Sequence, residues 1–222
     1  MSSISHINYD RLAGWYDRLA SWVFGDLLLE SQKEAVHMVE KGSHILWIGG
    51  GTGSVLPEVL QQEIGALTYV EASVEMLKRA RQQLHELGSN TPIAMIHGTE
   101  DDIPSQSYDA IFSFFFLDQF PQVEMDRIWT VLQGHLREGG QWVQVDFSDK
   151  ASRWWHVPLI QFMYLFFKIT TGLQTHQLPD MEKGFRENGY RLKKSWSKGK
   201  GLIQVQVWQK HGPDKFPSKQ CN

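Results

Sequence analysis

Short apolar runs alternate with amphipathic stretches along most of this chain. The run at 43–48, SHILWI, is apolar enough for a buried strand, and SVLPEVLQQE at 54–63 follows with helical spacing. Pro57 fits that helix only in its first turn, where its missing N–H would be unpaired anyway. A second strand is predicted at 66–71 and a strongly amphipathic helix at 73–87. Ser73 is the natural N-cap of that helix, Met76, Leu77, Ala80, Leu84 and Leu87 its apolar face, and Gly88 its stop. Strands at 92–97 and 108–116, a helix at 123–136 and a strand at 140–147 continue the series. This alternation predicts an α/β fold with a parallel sheet and helices on both faces.

The two ends depart from the pattern. Residues 1–41 read as helical. Residues 151–187 combine an aromatic-rich stretch with the short helical segment PDMEKGFREN. Strands at 190–197 and 201–209, joined by Lys198, Gly199 and Lys200, are predicted to pair antiparallel and close the sheet. There is no repeat, low-complexity tract or linker, so one domain over 1–210 is expected, with 211–222 as a mobile tail.

Composition narrows the partners. A formal net charge of −3 and a pI near 6.3 argue against a nucleic-acid partner. The single cysteine, Cys221, can form no internal disulfide and supplies no cysteine-based metal site; no metal is expected. The N-terminus lacks a basic start followed by an apolar core, so a cytoplasmic protein is expected. The most apolar stretch, 157–170, is interrupted by Gln161 and Lys168 and falls short of the roughly 20 residues a spanning helix needs.

The chemistry is concentrated in HILWIGGGTGSVLPEVL, residues 44–60. Glycines between a buried strand and a helix permit unusual φ and let a ligand lie against bare backbone. Dinucleotide binding wants glycine at i, i+2 and i+5. Counting from Gly49, the last of those positions is Ser54, and the glycines fall instead at Gly49, Gly51 and Gly53. That spacing disfavours an NAD(P)-dependent oxidoreductase. Glu71 ends the second strand, where an acid is placed to accept hydrogen bonds from both ribose hydroxyls. Together these features point to a nucleoside-containing ligand.

The segments ILWIGGGTG, YVEASVEMLKRAR, GTEDDIP, YDAIFSFFFLDQF and ENGYRL resemble, in this order, those of class I S-adenosylmethionine-dependent methyltransferases. They are most similar to the small-molecule group around the ubiquinone/menaquinone methyltransferases. The resemblance implies a Rossmann-like sandwich: a mostly parallel seven-stranded sheet with an antiparallel C-terminal strand and helices on both faces. It implies S-adenosyl-L-methionine as cofactor and S-adenosyl-L-homocysteine as product. By the same resemblance Gly49, Gly51 and Gly53 underlie the cofactor and Glu71 holds its ribose, with Ala72 and Met76 following. Thr99 and Glu100 fall at the adenine, Ser113 and Phe114 beside the reacting centre, and Tyr16 is an aromatic candidate for the sulfonium. Two positions depart from the family pattern. Trp47 stands where the first strand usually carries an acid, so the loop must be held in another way. Thr99 stands where the adenine loop usually carries aspartate, leaving Thr99, Glu100 or Asp101 to take the adenine amino group.

The expected reaction is methyl transfer to a small apolar or aromatic acceptor through O, C or N. An acceptor that must lose a proton benefits from a base. His97, Asp118, Asp146, His156 and His176 are candidates, with His156 favoured because it opens the aromatic segment. That segment, with the N-terminal helices of 1–41 as a lid, is expected to cover the acceptor. It could equally be core, a homodimer face, or a peripheral membrane contact through 154–169. The competing reading is a catalytically degenerate relative that binds S-adenosylmethionine or S-adenosylhomocysteine without transfer, or a non-enzymatic, cofactor-free one.

Overall fold

The computed structural model describes residues 26–120, 122–148 and 181–211. Within them, seven strands form one sheet in the order β3-β2-β1-β4-β5-β7-β6. The strands are β1 (His44–Ile48), β2 (Ala66–Glu71), β3 (Ile93–His97), β4 (Tyr108–Phe114), β5 (Leu136–Phe147), β6 (Tyr190–Lys198) and β7 (Ile203–Lys210). The helices are α1 (Leu27–Val36), α2 (Leu56–Gln61), α3 (Val74–Leu87), α4 (Gln122–His135) and α5 (Met181–Glu187). β1 to β5 run parallel, and β7 is antiparallel to both β5 and β6. The expected sheet is therefore present. Its direction of progression reverses between β1 and β4, the point at which open α/β sheets bind ligands.

Both faces of the sheet are covered, which is why β1 reads as a continuous apolar run rather than an alternating one. Ile45 and Trp47 join the core beneath α1, α2 and α3, with Ala35, Val59, Leu77 and Ala80. Leu46 and Ile48 join the opposite core beneath α4 and α5, with Ile128, Trp129, Leu132 and Phe185. Local chemistry sets the helix ends. Pro57 lies in the first turn of α2. The Ser73 hydroxyl accepts from the Met76 amide at 3.2 Å, and Gly88 closes α3 with φ of 59°. The apolar face of α3 is narrower than its spacing predicts. Met76, Leu77 and Ala80 are buried, but Leu87 is 41% exposed because burial stops with the first two turns.

Parts of the two end regions belong to the core. α1, from the expected lid, buries Ala35 and Val36 fully, and its Glu34 pairs with Lys198 and accepts from the Trp196 indole at 2.9 Å. α5, from the expected acceptor cover, inserts Phe185 among Trp129 at 4.3 Å, Trp208 at 4.6 Å, Trp142 at 5.2 Å and Tyr190 at 5.4 Å. These described ends of the two segments stabilise the sheet. Among the described residues no helix is long and apolar enough to cross a membrane.

Candidate functional site

The loop after β1 contains four glycines, and each lacks a side chain for its own reason. A Cβ on Gly49 would stand 2.4 Å from the Phe116 ring, and one on Gly50 would stand 2.2 Å from the Tyr69 ring. At Gly53 it would meet Leu56 at 2.6 Å and Ala80 at 3.0 Å. Those three absences serve the protein's own packing. At Gly51 a Cβ would find nothing within 4 Å, yet φ is 66°. Its backbone therefore takes a conformation that suits glycine while facing open space.

Gly51 is clamped from both sides. Its amide donates to Glu71 Oε2 at 2.8 Å, and its carbonyl accepts from the Tyr69 hydroxyl at 2.9 Å. The other carboxylate oxygen, Glu71 Oε1, accepts from the Ser73 amide at 2.7 Å. Tyr69 and Glu71 lie two residues apart on β2 and so project from the same face of the strand. Burial pushes the Glu71 carboxyl above the usual glutamate range, partly opposed by the Ser73 and Gly51 amides. A carboxylate has about four acceptor positions, so two amides leave capacity for a vicinal diol.

Trp47 supports this clamp. It lies beside Tyr69 in the β1–β2 register and meets that ring edge-on at 5.1 Å. Phe114 and Phe112 close around it at 5.6 and 6.1 Å. The tryptophan thus wedges Tyr69 toward the loop, and Tyr69 orders Gly51. Sequence reading passed over Tyr69 and Gly50. The period-two spacing of Tyr69 and Glu71 was the available signal for the first.

The loop after β3 adjoins this clamp. The Gly98 amide donates to the Glu71 carbonyl at 3.1 Å, and His97 Nε2 lies 3.0 Å from the Ala72 carbonyl. Ala72 is exposed, whereas Met76 is buried. Thr99 caps the following turn: its amide donates to Asp102 at 2.8 Å, and its hydroxyl accepts from the Asp101 amide at 3.4 Å. Glu100 is buried and paired with Arg127, which also holds Asp101 at 2.9 Å. Thr99 and Glu100 therefore stand next to the Glu71 strand end with their side chains already engaged.

The segment after β4 is strained and pinned. Phe115, a non-glycine residue, takes φ of 50°, and its amide donates to the Val145 carbonyl at 2.7 Å. Such outliers persist where the surroundings over-determine them. Ser113 is fully buried and its hydroxyl accepts from the Trp142 indole at 2.8 Å. Phe114 stacks on Phe112 at 4.9 Å within the core. Phe116 covers Gly49 with its ring. Asp118 lies in the turn after β4 and Asp146 near the end of the adjacent parallel strand β5, and the charge of Asp118 is felt at Asp146. His156, His176, Tyr16 and the stretch 154–169 lie outside the described residues. Among the described residues no cluster of His, Cys, Asp or Glu could hold a metal ion.

Comparison with known proteins shows what the chain is similar to. Residues 46–142 match the family described as Methyltransferase domain. Over 117 residues the chain is 30% identical to a phosphatidylethanolamine N-methyltransferase of Cereibacter sphaeroides, covering 52% of this chain and 56% of that protein. Over 125 residues it is 29% identical to a ubiquinone/menaquinone biosynthesis C-methyltransferase of Pseudoalteromonas translucida, covering 54% of this chain and 49% of that one. The matches thus span about half the length of these relatives. The solved Haloferax volcanii complex of the Trm112 methyltransferase activator with a putative methyltransferase superposes with a TM-score of 0.69 at 16% identity, covering 91% of this chain and 99% of that one. That likeness establishes a shared fold.

Proposed function

We propose, from a class I S-adenosylmethionine-dependent methyltransferase domain, that this chain transfers the cofactor's methyl group to a small acceptor with an apolar or aromatic body. The observation that carries the reading is Gly51, a clamped backbone facing open space within 2.8 Å of a buried carboxylate. A ribose diol fits the remaining acceptor positions of Glu71, and the exposed Ala72 beside it leaves room at the C-terminal end of β2. Bound there, S-adenosylmethionine would supply the electrophilic methyl group. The chain's own task is to hold and orient, since a near-attack geometry accounts for much of such a rate. Support for an apolar acceptor body comes from the aromatic-rich 151–170 and from two relatives named for a lipid and for quinone biosynthesis. A second reading, a cofactor-binding relative without transfer, draws on Trp47 and Thr99 standing at positions where the resembled family carries acids.

Calorimetric titration with S-adenosylmethionine, S-adenosylhomocysteine and NADH in parallel tests the reading. Saturable binding of both adenosyl compounds but not NADH is expected. Folded protein that binds neither adenosyl compound would overturn it, and binding without transfer to any acceptor would favour the second reading. Tyr69→Phe should weaken S-adenosylhomocysteine about fivefold in the same titration, the effect of losing one hydrogen bond worth about 1 kcal/mol. Unchanged affinity would mean that the Gly51 carbonyl needs no tether.

A further inference from the structure

Two of the buried polar atoms that lack a hydrogen-bond partner among the described residues lie together near the end of β5. Asp146 is 3% exposed, and its Oδ2 accepts from the Gln144 amide at 2.7 Å. Its Oδ1 is buried with no hydrogen-bond partner, and so is Gln144 Oε1. Both orphans are acceptors, set two residues apart on the same face of β5. Asp118, half-buried in the turn after β4, adds a second carboxyl. Among the described residues the neighbouring elements place no cation in an ion pair with these groups. β7 places Gln204 opposite Asp146 and Gln206 opposite Gln144, and the turn after β4 brings Asp118. No described lysine, arginine or histidine forms an ion pair with either carboxyl.

Buried acceptors without donors are costly, and more so when charged. A chain that keeps two of them beside a carboxyl pair is suited to a ligand that brings several donors and a positive charge. Phe116 ties this place to the cofactor loop, since its ring covers Gly49 while its neighbour Phe115 donates its amide to the Val145 carbonyl, next to Asp146 on β5, at 2.7 Å.

We propose that Asp118 and Asp146 form the acceptor site of the transfer reaction, and that the acceptor is an amine that arrives protonated and gives its proton to this pair. The inference rests on the cofactor reading above. The ammonium N–H donates to Asp146 Oδ1 and Gln144 Oε1. One proton passes to the carboxylate pair, which frees the nitrogen lone pair. That lone pair forms the new N–C bond with the donor methyl carbon as the C–S bond breaks, its electrons remaining on sulfur. Burial pushes the Asp118 carboxyl up to about 7 and, with the Asp118 charge, lifts Asp146 well above the usual aspartate range. The two titrate as a unit suited to holding one proton near neutrality.

The test uses the full chain and a long-chain primary amine in neutral detergent micelles, against the alcohol and the phenol of equal chain length. Calorimetry on protein saturated with S-adenosylhomocysteine should show the amine bound at least about tenfold tighter than either control at about pH 8, with the preference lost at about pH 5.5. Asp146→Asn and Asp118→Asn should each abolish the preference while binding S-adenosylhomocysteine within about threefold of wild type, which also reports that they fold. The wild-type pH dependence needs no variant. No amine preference, a preference for the phenol, or a preference that survives both substitutions would overturn the proposal. Failure of wild-type protein to bind S-adenosylhomocysteine would instead sink the cofactor reading, and the amine preference would still be readable on the unliganded chain.

Discussion

Replacing Glu71 by alanine should abolish measurable S-adenosylhomocysteine binding, a loss of at least about a hundredfold, in protein that still folds. Hydrogen bonds to charged groups contribute about 1.5–3 kcal/mol each, and this carboxylate accepts from two amides before any ligand arrives. Without it the Gly51 amide has no partner, the loop loses its tether to β2, and the ribose loses its acceptor. Glu71→Gln separates these parts. Glutamine keeps one acceptor oxygen but turns an N–H toward an amide of Gly51 or Ser73, so it should recover only part of the affinity. The pH dependence gives a second check, with opposite signs for folding and binding. Burial raises this carboxyl above its ordinary value of 4.5, so the folded state holds the proton more tightly than the unfolded chain. Its own contribution to stability is therefore greatest at low pH and declines as pH rises through the folded value. Cofactor binding needs the carboxylate, so affinity should fall as pH is lowered toward that raised value. Affinity that tracks melting temperature across pH, or a Glu71→Ala variant that binds normally, would refute the assignment.

The strands, the glycine loop and the acid that ends β2 could be read from the sequence because they follow from local pattern. Apolar runs ending in glycine mark strands, and an acid at the end of β2 needs no partner list to be noticed. What escaped depends on which strands lie side by side. Tyr69 matters because β1 pairs with β2 in a register that sets it beside Trp47. Gly50 matters because the Tyr69 ring passes over it. Asp118 and Asp146 are two of five candidate bases in the sequence, and only the pairing of β4 with β5 sets them at neighbouring strand ends. The segments containing α1 and α5 were read as covers for the acceptor. Their described parts carry core residues, because a short amphipathic helix looks the same whether its apolar stripe meets a sheet or a ligand.

Restoring the family acid at Trp47 should damage the protein rather than improve it. The indole is 1% exposed and enclosed by Tyr69, Phe112 and Phe114. Trp47→Asp would empty most of that volume, at a cost of about 3–5 kcal/mol for a large-to-small core change. It would also put a carboxylate among aromatic rings, which either stays neutral through a raised pKa or pays a heavy desolvation penalty. Tyr69 would lose its wedge and the Gly51 carbonyl its fixed donor, so cofactor affinity should fall together with stability. Trp47→Phe is the control. It keeps a ring against Tyr69 and removes an indole N–H that has no hydrogen-bond partner among the described residues. The relief of that unpaired donor offsets part of the lost volume, so this variant should melt close to wild type and bind S-adenosylhomocysteine within about threefold. Chemical denaturation and calorimetry on the two variants decide the matter. A Trp47→Asp protein as stable as wild type, with tighter cofactor binding, would mean that the position still accepts the acid. The expected opposite result would mean that this chain has exchanged a charged tether for an aromatic one and that the exchange is now built into its core.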